Sequence, residues 1–128
     1  MTHDPTHTPE FVRLMKRMRI STTARLWRDD FQQPLPEVDM IIVPDAFEYM
    51  TNNQIKRAIR MVYDSGARFL VATNYPGQRH IVNKPADGPH KPNLAWFGMI
   101  PIILMDTRDH GKTLTLFGVN HGRRATAE

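Results

Sequence analysis

Two pairs of residues carry the clearest chemical potential in this chain. They are Asp29-Asp30 and Pro44-Asp45, each placed after a run that reads as a strand. Ligands of α/β proteins bind outside the carboxyl ends of parallel strands, so acids there can hold a ligand or take a proton. Asp45 could accept a proton from a substrate N–H or O–H. The same acids also suit turn-capping roles that need no ligand. Asn74, Lys91 and Asn93 add amide and ammonium groups in a long irregular stretch, where a lysine is more often solvated than reactive.

Several chemistries are excluded. The chain has no cysteine, so thiolate catalysis, redox pairs and Cys-based zinc sites are out. His3 and His7 are four apart but lie in a segment without helical pattern, and His80, His90, His110 and His121 are scattered. That spacing carries no metal-ligand logic. There is no Gly-x-Ser-x-Gly elbow, no lysine-bearing phosphate loop and no paired carboxylates that form an acid–base couple. No residue is assigned a catalytic role.

A length of 128 residues suits one domain with a core of ordinary size. No apolar run approaches the ~20 residues a membrane span needs, and the N-terminus has no hydrophobic signal core. A soluble, cytoplasmic protein without membrane contact is the expectation. Up to Arg28 the basic residues are Arg13, Lys16, Arg17, Arg19, Arg25 and Arg28, against Asp4 and Glu10, so the net charge of +4 sits in this stretch. A basic helix can meet nucleic acid or an acidic partner, although it is more often a solvated face.

The positioning elements follow from local pattern. Residues 1–8 read as a flexible lead. Thr8 is placed as an N-cap, Pro9 as a first-turn residue and Glu10 as a charge suited to the dipole's positive end. Phe11, Leu14, Met15 and Met18 then recur as one buried stripe, with Arg13, Lys16, Arg17 and Arg19 opposite. Residues 24–28 form a short candidate strand. Residues 38–43 (VDMIIV) read as a strand buried on both faces. Thr51 and Gln54 make a capping box, Ile55, Ala58, Ile59 and Val62 a buried stripe, and Gly66 a left-handed stop. A further buried strand follows at 68–73, completing a parallel βαβ unit. Residues 74–98 form a long loop whose Leu94, Trp96 and Phe97 fold back onto the body. Strands at 101–106 and 113–119, with Gly111 between them, make an antiparallel hairpin. Met40, Met50, Met61, Met99 and Met105 read as core filler. Residues 9–120 are one α/β domain, and 121–128 a frayed tail.

This order of elements resembles the C-terminal two-thirds of class I S-adenosylmethionine-dependent methyltransferases. "RDDFQQPLPEVDMIIVPDAFEYMTNNQIKRAIRMV" is similar to the family's third strand, acidic turn, "PLP" loop, fourth strand and helix. "SGARFLVATNYP" resembles the fifth strand, "HKPNLAWFGMIPIILMD" a substrate-side loop with the sixth, and "KTLTLFGV" the closing seventh. The resemblance implies a partial Rossmann-like methyltransferase sheet and S-adenosylmethionine as cofactor. It implies methyl transfer to an unidentified acceptor. It places Asp29, Asp30, Pro44 and Asp45 on the cofactor, with Asp29 at the adenine amino group, and Asn74, Lys91 and Asn93 on the substrate.

What is missing also shapes the expectation. The family's cofactor site begins with a strand and a Gly-x-Gly turn at a helix N-terminus, and this sequence contains no Gly-x-Gly. The acid that ends the second strand and holds the ribose has no counterpart. By the resemblance this is a methyltransferase domain without its first third, impaired in donor binding. The alternative is a non-catalytic, truncated fragment or interaction module. In the family's sheet the third strand pairs with the second, and the fourth with the first. Residues 24–28 are therefore expected to lack a neighbour and one edge of 38–43 to be open. A second copy or a companion chain could pair there.

Overall fold

Among the described residues, both α-helices begin where their caps dictate. The computed structural model describes residues 8–77, 91–107 and 111–119. In α1 (Pro9–Arg17) the Thr8 hydroxyl oxygen accepts a bond from Phe11 N at 3.2 Å, leaving fewer of the first-turn amides unpaired. In α2 (Asn52–Asp64) Thr51 and Gln54 cap each other reciprocally, at 3.2 and 2.8 Å. Gly66, at φ 86°, then turns the chain out of the helix. Arg19 does the same after α1 at φ 57°, a conformation that costs a side-chain-bearing residue about 1–2 kcal/mol.

Five strands form one mixed sheet: β1 (Thr23–Arg25), β2 (Met40–Val43), β3 (Phe69–Asn74), β4 (Ile100–Thr107) and β5 (Thr113–Gly118). The sheet order is β1-β2-β3-β5-β4. The first three strands are parallel, with Ala24 opposite Ile41 and Ile41 opposite Leu70. The C-terminal strands are an antiparallel hairpin whose β5 lies between β3 and β4. The expected α/β architecture, a parallel βαβ core closed by an antiparallel hairpin, is what the chain adopts.

Burial on both faces explains the continuous apolarity of β2. Ile41 and Val43 face a core shared with α2, Phe47, Leu70, Leu94 and Phe117. Met40 and Ile42 face the opposite core, built on Phe11, Val71 and Leu116. Helix α1 therefore covers one face, and α2 with the short turns Arg28–Gln32 and Leu94–Phe97 covers the other. Met40, Met50 and Met99 are buried, and Met61 and Met105 pack against the two cores, as filler should.

One expectation is overturned. The strand read at 24–28 does have a neighbour: β1 pairs in parallel with β2 from Thr23 to Arg25. The edge of β2 that the resemblance leaves open is thus covered by the chain itself. The connection from Leu26 to Asp39 is long enough for the crossover that parallel strands require. Its Phe31, Leu35 and Val38 pack against the α2-side core, so closing β1 onto β2 is rewarded by burial. The remaining edges are β1, which is short, and the outer side of β4, where Pro101 and two register shifts interrupt a regular edge. Trp96, expected to fold inward, is 49% exposed; Leu94 is buried and Phe97 is half-buried.

At the amino edge, Asp39 holds the α1–β1 connection to β2. Its Oδ2 accepts bonds from Ser21 N at 2.8 Å, Ser21 Oγ at 2.9 Å and Thr22 N at 3.1 Å. Arg68 adds a longer ion pair at 3.7 Å and donates to the carbonyls of Met18 and Arg19. These bonds favour the charged form, Ser21 N–H first, and hold the Asp39 carboxyl down at about 2. A depressed folded-state value stabilises the protein above the unfolded carboxylate range and stops doing so as pH falls toward 2. Asp39→Asn is therefore expected to be less stable than wild type at pH 6, and the gap to close on acidification through this window. Urea unfolding of both proteins between pH 6 and 2 measures it.

Candidate functional site

All three parallel strands end at the same edge of the sheet, and β5 begins there with Thr113 opposite Asn74. This carboxyl edge gathers a polar cluster of five residues from three stretches of the chain. Asp45, directly after β2, adopts φ 56°. The conformation is held by Thr73, whose hydroxyl oxygen accepts from Asp45 N at 2.9 Å and donates to Asp45 Oδ1 at 3.1 Å. Lys112 Nζ lies 2.7 Å from Asp45 Oδ1 and 3.7 Å from Glu48 Oε2. Glu48 sits on the turn Phe47–Tyr49 and is buried, accepting a bond from the Tyr75 hydroxyl at 2.7 Å. Burial, followed by the Glu48 carboxylate, pushes the Tyr75 phenol up, so it stays protonated and acts as a donor.

Beside this cluster the end of the long loop is tied back. Asn74 is buried; its Nδ2 donates to Asn93 Oδ1 at 3.3 Å and its Oδ1 accepts from Leu94 N at 2.6 Å. Asn93 Oδ1 also accepts from Ala95 N, and Tyr75 N donates to the Pro92 carbonyl at 3.0 Å. These bonds seat the returning segment against the end of β3.

The structure brings three of the sequence-derived candidates to one edge: Asp45, Asn74 and Asn93. Lys91 is exposed at the start of the returning segment. Pro44 is half-buried between β2 and Asp45. Asp29 and Asp30 lie on the turn Arg28–Gln32 rather than at the strand end, because β1 stops at Arg25. Asp30 Oδ2 accepts from Trp27 N at 2.7 Å, the capping use of such a residue. Asp29 is exposed, 3.9 Å from Arg28, and lines a cleft of about 170 Å³ with Phe31, Tyr49, Gln54 and Arg57. All six histidines lie outside the described residues, as do the lead up to residue 7 and the tail from 120.

Sequence reasoning missed Glu48, Thr73, Tyr75 and Lys112. Glu48 had a usable signal, an acid inside the otherwise apolar or aromatic run Ala46 to Met50. Lys112 had none, since a lysine beside a hairpin glycine is ordinary. Among the described residues, no group of three or more His, Asp or Glu side chains could hold a metal ion, and no helix is long and apolar enough to cross a membrane. Compared with protein-family models, curated proteins and solved structures, the chain has no match in any of the three.

Proposed function

We propose that the chain is a methyltransferase-like α/β protein that keeps the acceptor side of the methyl-transfer site and does not bind the methyl donor by itself. The observation that supports this reading is the order of strands. Numbered as the resemblance numbers them, the sheet runs third, fourth, fifth, seventh, sixth, with the seventh antiparallel. From the fourth strand onward that is the family's own order, fourth, fifth, seventh, sixth. The acceptor side of the reading is Asp45 and its neighbours at the carboxyl edge. Methyl transfer depends mainly on aligning donor and acceptor, so a strong catalytic motif is not required.

The residues present do not fit S-adenosylmethionine. By the resemblance its site lies at the carboxyl end of the first and fourth strands, and here β1 pairs straight onto β2, so the described residues build no such crevice. A sulfonium would also meet the Lys112 ammonium, 2.7 Å from Asp45. The cleft beside Asp29, at about 170 Å³, falls below the ~300 Å³ where sites for ligands of that size begin. Calorimetric titration with S-adenosylhomocysteine tests the reading. No heat of binding is expected from the folded chain, and micromolar binding would overturn the claim that the donor pocket is absent.

The second reading, an interaction module, draws on β4. Ile100, Ile102 and Leu104 are each about half exposed on this edge strand, beside an open groove between β4 and α1. A second copy or a companion chain pairing there would remove them from water. Light scattering should then report an assembly that Ile102→Lys dissolves; a monomer at all concentrations removes self-pairing. The exposed Arg13, Lys16, Arg17 and Arg19 offer a nucleic-acid face, whose affinity would fall steeply with salt.

A further inference from the structure

The cleft beside Asp29 is separate from the carboxyl-edge cluster, since none of Asp45, Glu48, Thr73, Tyr75 and Lys112 lines it. The turn Arg28–Gln32 forms one wall, α2 contributes Gln54, Arg57 and Ala58, and Tyr49 and Met50 complete it from the segment leading into α2. Phe31, Met50 and Ala58 are buried and supply an apolar floor, while Arg28, Arg57 and the half-exposed Tyr49 stand at the rim. We propose that this cleft binds a small aromatic carboxylate, its ring on Phe31 and Met50 and its oxyanion taken by the Arg28 and Arg57 guanidiniums.

Size, lining and charge support this assignment. At about 170 Å³ the cleft is close to the ~150 Å³ of an apolar cavity that takes one benzene ring. Phe31 is braced by Phe47, ring centroids 5.9 Å apart, so its aromatic surface is in place before a ligand arrives. A methionine sulfur and arginine guanidiniums both favour contact with an aromatic ring over an aliphatic one. Among the described residues that line the cleft, the charged ones are Arg28, Arg57 and Asp29, a surplus of one positive charge. Arg57 makes no ion pair among the described residues, and Arg28 reaches only Asp29, at 3.9 Å with both side chains exposed. A surface pair of that kind is weak and opens readily, whereas a ligand carboxylate offers a guanidinium two matched acceptors. Gln54 Oε1 is taken by Thr51 N at 2.8 Å, which leaves the Gln54 amide nitrogen as a further donor. The inference is independent of methyl transfer, for it uses none of the acceptor-side residues.

Amide ¹H–¹⁵N NMR of the whole chain, titrated with sodium benzoate at constant pH and ionic strength, tests it. Saturable shifts are expected at Phe31, Met50, Gln54 and Arg57, at millimolar strength as suits a ligand of about nine heavy atoms. Cyclohexanecarboxylate, with the same charge and no π face, should bind about threefold more weakly. Benzylammonium should not bind. Arg57→Gln and Arg28→Gln lie at exposed positions that the fold does not depend on, and each should weaken benzoate about fivefold. Asp29→Asn, which removes the rim carboxylate, should tighten it about twofold. Shifts that never saturate, benzylammonium or cyclohexanecarboxylate binding as tightly as benzoate, or unchanged affinity in both arginine variants overturn the proposal. So does weaker binding in Asp29→Asn, the mark of a ligand held through its own donors.

Discussion

Phe117→Ala is expected to lower the unfolding free energy by about 3–5 kcal/mol. Phe117 is fully buried on β5, paired with Leu70 of β3 on one side and Pro101 of β4 on the other. Its ring fills the α2-side core with Phe47 and Leu94, so truncation leaves a cavity that three elements would have to move to fill. Total stability of a domain this size is only about 5–15 kcal/mol, so the variant should be marginal at 37 °C. Urea unfolding followed by circular dichroism measures the change. Val12→Ala, at a helix position 44% exposed, is the control and should shift stability by no more than about 0.5 kcal/mol. A Phe117 loss as small as the control's would mean that the hairpin does not close that core.

The second large effect concerns Lys112. Lys112→Met keeps the stem's bulk and removes the ammonium between Asp45 and Glu48. Breaking a fully buried pair costs about 3–5 kcal/mol; with Asp45 half exposed, solvent screens part of this, and a loss of about 2 kcal/mol is expected. The loss comes from Glu48, a buried carboxylate left with only the Tyr75 hydroxyl. Adding Glu48→Gln to Lys112→Met should therefore recover stability rather than lose more. A double variant whose loss equals the sum of the single losses would show that the two side chains do not interact. Thermal and urea unfolding of the four proteins at pH 7 complete the cycle.

How much was legible in the sequence depends on how local each signal is. The Thr51–Gln54 box and the Thr8 cap are written within four residues, and both form as read. Strands β2 and β3 were legible because burial on two faces demands a continuous apolar run. Their boundaries shift by one or two residues: Asp39, read as part of the strand, instead ties Ser21 and Thr22 to it. The pairing of β1 with β2 was not legible. It joins Thr23 to Met40 across a connection rewarded by the burial of Leu26, Phe31, Leu35 and Val38, and no local pattern shows that. Asp45 was legible as the residue after a buried strand. Its partners Thr73 and Lys112 come from other strands' ends and were not.

By itself, the sequence determined the helices, the apolar strands, the parallel βαβ unit and the terminal hairpin. It also determined the absence of thiol chemistry and of a Gly-x-Gly turn. Caps, periodicity and turn residues act over a few positions, so they can be read without knowing what lies across the sheet. Only the tertiary structure decided that β1 covers the edge of β2, and that Asp45, Glu48, Tyr75 and Lys112 share one cluster. Both follow from which strand lies beside which. That choice is made by the total burial of two cores and by the pairing of polar groups at the strand ends, quantities that belong to the whole chain.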